Sequence, residues 1–201
     1  MDLPGVPSSV LEALQRAGRS RDVRCLALVG GVVRDQLLHQ RCGRFWSGVP
    51  DLDWVVEGNA AALVAELVVQ VGSERISGVQ EHGAFGTVAF QLDGIPLDLA
   101  TARQEHYPAP AENPIVRAGT LEADLARRDF TINAMALDLV AGELIDLHHG
   151  QEDLSSGQIR FLHAGSVQDD PTRVIRAARY AARLGFELAK ESREQIRSTM
   201  Q

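Results

Sequence analysis

An α+β fold, a mixed sheet with helices followed by a helical C-terminal segment, is predicted by three observations. The first is Cys25-Leu26-Ala27-Leu28-Val29, a short apolar run closed by Gly30-Gly31, after which Val32, Val33, Leu37 and Leu38 recur at helical spacing. The second is a group of short strand-like segments over residues 74–77, 87–91 and 95–100, the last two joined by Leu92-Asp93-Gly94-Ile95, a hairpin turn signal. The third is the helical pattern that begins at Asp170-Pro171 and persists to the C-terminus.

Taken in order, residues 8–17 predict a short helix with Val10, Leu11 and Leu14 on one side and Ser8 or Ser9 as its cap. Residues 18–22 form a linker. The strand, glycine turn and helix follow, then a polar loop over 40–50 containing Gly43 and Gly48, and a second strand over 53–57. Asn59 caps an apolar helix over 60–71, with Leu63, Leu67 and Val71 at helical spacing and Gly72 as its end. Residues 101–119 hold three prolines and little periodicity, which predicts a long loop. Thr120 caps a helix that starts Leu121-Glu122-Ala123-Asp124 and runs on through Met135. A hairpin over 137–140 and 144–147 turns at Gly142, residues 148–156 connect, and 159–162 form a short strand. Asp170 as N-cap and Pro171 as first helical residue open a helix that Gly185 ends, and another helix begins near Glu191. The organisation expected is an N-terminal helix and linker over 1–22, a catalytic unit over 23–147, and a hinge with a helical unit over 148–201.

Composition excludes several classes. At 201 residues the chain can bury a sizeable core, and no apolar run approaches the roughly 20 residues that span a bilayer. The N-terminus carries no basic and apolar signal-peptide pattern, so no membrane association is expected. Cys25 and Cys42 lack metal spacing and make no disulfide framework, so a reducing cytoplasm fits best. A net charge of −7 argues against a whole-surface nucleic-acid binder, yet Arg173, Arg176, Arg179, Arg183, Arg193 and Arg197 gather in the last part of the chain.

Chemistry concentrates where the second strand begins. On a strand, residues i and i+2 share a face, so Asp51 and Asp53 present their carboxylates side by side, an arrangement that a divalent cation relieves. Gly30 and Gly31, without side chains at a helix start, let a phosphate approach the backbone. Metal-binding acids beside a phosphate cradle point to nucleotidyl transfer. Each feature has an ordinary reading too: Asp-x-Asp pairs are often solvated strand ends, and Gly-Gly after a strand is often only a turn. Likewise Arg128 and Asp129 read as a solvated helix turn, and Asp170 and Arg173 as a capped, surface-paired helix start.

Ordered motifs along almost the whole chain resolve those alternatives. They are Gly30-Gly31-Val32-Val33-Arg34-Asp35 with Asp51-Leu52-Asp53, the run from Leu125 to Ala136, Asp170-Pro171-Thr172-Arg173-Val174-Ile175-Arg176, and Arg183-Leu184-Gly185-Phe186. The chain resembles the class II tRNA nucleotidyltransferases, or CCA-adding enzymes, and the related bacterial poly(A) polymerases. The resemblance implies a polymerase-β-like nucleotidyltransferase head and a helical neck, truncated before body and tail domains. It implies two-metal nucleotidyl transfer that releases pyrophosphate, with two Mg²⁺ ions held by Asp51 and Asp53, and Asp98 as a third carboxylate near the attacking hydroxyl with a strand-end acid as its other reading. Gly30, Gly31 and Arg34 then lie against the phosphates, although Arg34 can instead pair with Asp35 or Asp53. Arg128, Asp129 and Asn133 resemble a ribose-sensing motif. Asp170 and Arg173, with Arg176 nearby and Asp169 where Glu is more usual, resemble the pair that reads the base. Their acceptor and donor fit cytosine and adenine. The region 146–150 matches the head–neck hinge loosely, with Asp153-Leu154 its best-kept part. The full-length loop over 103–122 favours C addition, with or without A.

The expected substrates are therefore CTP, ATP and a tRNA 3′ end. Poly(A) polymerase and CC-adding activities are the near alternatives. A nucleotide-binding fragment without catalysis is the alternative from another class, and the chain alone is expected to be poorly active on tRNA.

Overall fold

A computed structural model describes residues 3–46, 51–82 and 86–199. Helix α1 (Ser8–Ala17) buries Val10, Leu11, Ala13 and Leu14. No serine caps it: Pro7 holds the N-cap position, and its carbonyl accepts from the amides of Val10 and Leu11. Proline's fixed φ sets the entry where a serine hydroxyl was expected. Strand β1 (Cys25–Val29) leads into α2 (Gly31–Cys42), then β2 (Asp53–Glu57) and α3 (Ala60–Val71). The expected loop over 40–50 starts later, because α2 continues to Cys42 and closes on left-handed Gly43; its residues 47–50 lie outside the described ones. Asn59 caps α3 as expected, accepting from the amide of Ala62 at 2.9 Å.

Past a 3₁₀ turn (Ser73–Arg75) come β3 (Ile76–His82), β4 (Thr87–Leu92) and β5 (Ile95–Thr101). The first half of the expected strand over 74–77 is that turn, and the strand proper starts at Ile76. Asp93 and Gly94, with φ of 52° and 78°, form the β4–β5 turn expected of that dipeptide. The expected loop over 101–119 instead contains a hairpin, β6 (Arg103–His106) and β7 (Ile115–Ala118), paired from Arg103 with Ala118 to His106 with Ile115. Helix α4 (Leu121–Ala126) is capped by Thr120 but stops short of Met135. Phe130 turns extended, inserting its ring between Phe161 and Tyr180, and a 3₁₀ turn (Thr131–Asn133) follows.

Strands β8 (Ala136–Asp138) and β9 (Leu144–Ile145) form the expected hairpin. The presumed connector over 148–156 holds helix α5 (Gly150–Ser156), whose first amides are bound by Asp146. Of the strand over 159–162, only β10 (Gln158–Ile159) is regular, Phe161 making a single bridge to Phe130. A short α6 (Ser166–Asp169) precedes α7 (Thr172–Leu184), β11 (Glu187–Leu188) and α8 (Lys190–Thr199). Pro171 rather than Asp170 takes the N-cap position of α7, yet Asp170 still accepts from the amide of Thr172 at 2.9 Å. No helix among the described residues is long and apolar enough to cross a membrane.

The main sheet runs β3-β4-β5-β2-β1-β8-β9. It is mixed: β2 and β5 run parallel, and the other neighbours antiparallel. Alternation decides its two faces. Leu26, Leu28, Leu52, Trp54, Val56, Leu97 and Leu99 pack with α1 and α3 in the large core, which continues to Ala177 and Leu184 of α7. Ala27, Val29 and Val55 turn the other way and pack with Leu121 and Leu125 of α4. Asp51, Asp53 and Asp98 alternate with large-core residues, so they belong to this second face. The fold therefore sets three carboxylates beside the end of β1.

Candidate active site

The backbone brings the acids together. Asp53 and Asp98 are register partners across the parallel β2–β5 pair, and the amide of Asp98 donates to the carbonyl of Leu52 at 3.1 Å. All three aspartates are exposed. The Asp53 carboxyl is raised above the usual aspartate range, chiefly by desolvation; Arg128 opposes this, while Asp98 and then Asp51 add repulsion. Clustered like charge of this kind attracts a cation.

Gly30 sits at φ 75° and ψ −131°, a region that only glycine enters readily. A Cβ there would lie 2.9 Å from Nη1 of Arg128, so that guanidinium lies close over the turn. Arg128 is held by Asp124, itself fully buried, at 3.0 Å. Gly30, Gly31, Asp53, Arg128, Asp170 and Arg173 all line one cavity of about 350 Å³. Phosphate-type, metal-type and base-type groups predicted from distant stretches of sequence thus share one space.

Several predicted residues are engaged with other side chains. Arg34 is buried; its Nε and Nη2 donate to Asp35 at 2.8 and 3.0 Å and its Nη1 to Oδ1 of Asn133. The guanidinium also lies 5.1 Å from the centre of the Tyr180 ring. The pairing with Asp35, which the sequence left open beside a phosphate contact, is thus present, as a buried guanidinium must fill its donors locally. Asn133 accepts from Arg34 at Oδ1 and donates through Nδ2 to Asp129 at 3.0 Å, bridging the two while it lines the cavity.

Asp129 is buried and also accepts from the Phe130 amide and from Arg176 Nε, both at 2.8 Å. The solvated-turn reading of Arg128 and Asp129 is therefore wrong. Arg34, Asn133, Asp129 and Arg176 make one chain of bonds that ties α2 to α7 beneath the cavity.

The base-type pair is half engaged. Arg173 is 4% exposed although it is a charged residue on a helix. Its Nη2 donates to the carbonyl of Arg127 at 3.0 Å, its Nε lies 3.8 Å from Asp170, and its buried Nη1 has no partner. An orphaned charged donor beside a carboxylate suits a ligand that offers an acceptor next to a donor. The surface-pair reading of Asp170 and Arg173 does not survive this burial.

Tyr107 and Glu105, which also line the cavity, were not singled out from the sequence. The Tyr107 hydroxyl donates to Glu105 at 3.2 Å, and Glu105 also binds Arg127 at 3.1 Å. They arrive on the unanticipated β6–β7 hairpin, and no spacing signal marked them.

The donor set fits the implied metal. Hard carboxylate oxygens suit Mg²⁺, which takes one or two carboxylates and completes its shell with phosphate and water. Among the described residues no group of three or more His, Cys, Asp or Glu is placed to hold a metal ion by itself, so the fit rests on the Asp51 and Asp53 carboxylates alone.

Comparison with known proteins gives concordant matches. A family model described as the poly A polymerase head domain matches residues 26–160. The A-adding tRNA nucleotidyltransferase of Aquifex aeolicus is 42% identical over 86% of this chain and 20% of its own length. The CC-adding tRNA nucleotidyltransferase of Deinococcus radiodurans is 43% identical over 90% of this chain and 46% of its own. A solved CCA-adding enzyme in its second apo form superposes with a TM-score of 0.84 at 35% identity, covering 97% of this chain and 45% of that one. The chain thus spans less than half the length of these relatives.

Proposed function

Because the chain belongs to the poly A polymerase head-domain family, we propose that it supplies the nucleotide-binding and catalytic part of a Mg²⁺-dependent enzyme that adds C and A to tRNA 3′ ends. The observation that carries this reading is the single cavity in which Gly30, Gly31 and Asp53 face Asp170 and Arg173. The triphosphate approaches the bare backbone of the glycine turn, where Arg128 offsets its charge. Asp51 and Asp53 would hold the metal, with Asp98 beside them. When bound, the metal lowers the pKa of the primer hydroxyl and offsets charge on the phosphates. The 3′ oxygen attacks the α-phosphorus as the bond to pyrophosphate breaks, and Asp98, the register partner of Asp53, would receive the hydroxyl proton. Asp170 accepts from the exocyclic amine of cytosine or adenine, while Nη1 of Arg173 donates to the neighbouring ring nitrogen. Guanine and uracil present the opposite order and leave buried groups unpaired.

The test is transfer of labelled CTP and ATP to tRNA lacking its CCA end, by the complete protein. Incorporation of both, abolished by Asp53→Ala by a factor of about 10³ or more with unchanged circular dichroism, supports the reading. Incorporation of ATP alone into any RNA end indicates a poly(A) polymerase, and CTP alone indicates a CC-adding enzyme. Retained activity in Asp53→Ala contradicts the metal assignment. Nucleotide binding by the complete protein without transfer indicates a non-catalytic module.

A further inference from the structure

Strand β6 carries a buried carboxylate that takes no part in the proposed transfer. The Glu105 side chain is 8% exposed. Three groups hold it: Nη1 of Arg127 at 3.1 Å, the Tyr107 hydroxyl at 3.2 Å and Nε of Arg103 at 3.3 Å. A carboxylate that buried needs such partners, because its charge is poorly solvated. Arg127 is the C-cap residue of α4, at the end of the helix where carbonyls lack an intrahelical donor. Its carbonyl accepts from Nη2 of Arg173 instead. Asp124 grips the Arg127 side chain from within α4, through Nη2 at 2.8 Å, and Glu105 grips it from the hairpin through Nη1.

Glu105, Tyr107, Arg127 and Arg173 line the base-type cavity and also a neighbouring one of about 400 Å³. These four side chains are therefore the partition that the two cavities share. With a cavity on either side, packing does little to fix the Arg173 guanidinium, and its bonds must do so. Those bonds are few: Nη2 on the Arg127 carbonyl, and Nε 3.8 Å from Asp170. Asp124 is already divided between Arg127 and Arg128. Glu105 supplies the second negative charge among these arginines and holds Arg127 in place. Resting on the proposed function, we infer that Glu105 is a positioning residue for base selection. By clamping Arg127 it fixes the carbonyl that aims Nη1 of Arg173 at the ring nitrogen of cytosine or adenine.

The test is calorimetry of CTP and GTP, with Mg²⁺, on the complete protein and on Glu105→Ala, Arg173→Ala and the double variant. Glu105→Ala lowers the preference for CTP over GTP about five-fold, the net worth of one hydrogen bond. GTP does not match the Arg173 donor, so its affinity stays within about two-fold and reports an intact fold. The double variant loses no more preference than Arg173→Ala alone, because the two residues act in series. Glu105→Gln keeps the shape of the side chain and one acceptor but not the charge. It lowers the preference about three-fold, since a charge-assisted bond becomes a neutral one, and it carries the test where the alanine variant fails to fold. An unchanged preference in these Glu105 variants, an equal loss of CTP and GTP affinity, or a further loss in the double variant overturns the inference. Wild-type protein without the preference, or Arg173→Ala that keeps it, overturns the proposed base reading as well.

Discussion

Arg34 ties three parts of the site together, donating to Asp35 and Asn133 and facing the Tyr180 ring. Its motif was legible in the sequence, but its role was not, since Gly-Gly-x-x-Arg spacing does not reveal that Asn133 lies opposite, 99 residues later. Arg34→Met leaves Oδ1 of Asn133 without its donor. The expected cost is about 3 kcal/mol, a fall of roughly 6–12 °C in melting temperature, which calorimetry measures. His163 makes a pH prediction. Partial burial and the nearby Arg173 lower its pKa, while Asp169 raises it less. The folded state therefore favours neutral His163, and the unfolded chain takes the proton first. Stability from this group is complete above the ordinary histidine value of about 6.5 and falls as pH drops below it. Urea titrations from pH 7.5 to 5 measure the slope, and His163→Gln flattens it.

At the scale of elements, local chemistry was readable wherever a side chain acts on its own backbone. Asn59, Thr120, Asp93-Gly94 and Gly185 all do what their residue types dictate. Elements shaped by distant contacts were not readable. The β6–β7 hairpin has no alternation of apolar and polar residues, and its residues are exposed or half-buried. Helix α4 ends where buried Asp124 gathers both Arg127 and Arg128, a contact no window of sequence displays. Helix α5 begins at a position where only a hydrogen fits: a Cβ on Gly150 would lie 2.4 Å from the carbonyl of Thr131 and 2.9 Å from Cγ of Met135. Gly150→Ala therefore costs about 1–3 kcal/mol by forcing these elements apart, and thermal unfolding measures it. Unchanged stability would mean that α5 can move off the Thr131–Asn133 turn without penalty.

The whole molecule joins two kinds of chemistry that lie far apart in sequence. The sheet sets the carboxylates and the glycine turn. Helix α7, anchored through Arg176 to Asp129 and through Arg183 to Asp35, brings Asp170 and Arg173 over them. The sequence displayed each motif, but only the fold puts them around one cavity and leaves Nη1 of Arg173 buried without a partner. That orphaned donor makes base selection the central claim. Calorimetric titration of the protein with CTP, ATP, GTP and UTP in the presence of Mg²⁺, repeated on Arg173→Ala, tests it most directly. CTP and ATP should bind at least about ten-fold tighter than GTP and UTP, the penalty for one unpaired buried group, and Arg173→Ala should erase that preference. Equal affinity for all four nucleotides in the unaltered protein would contradict it.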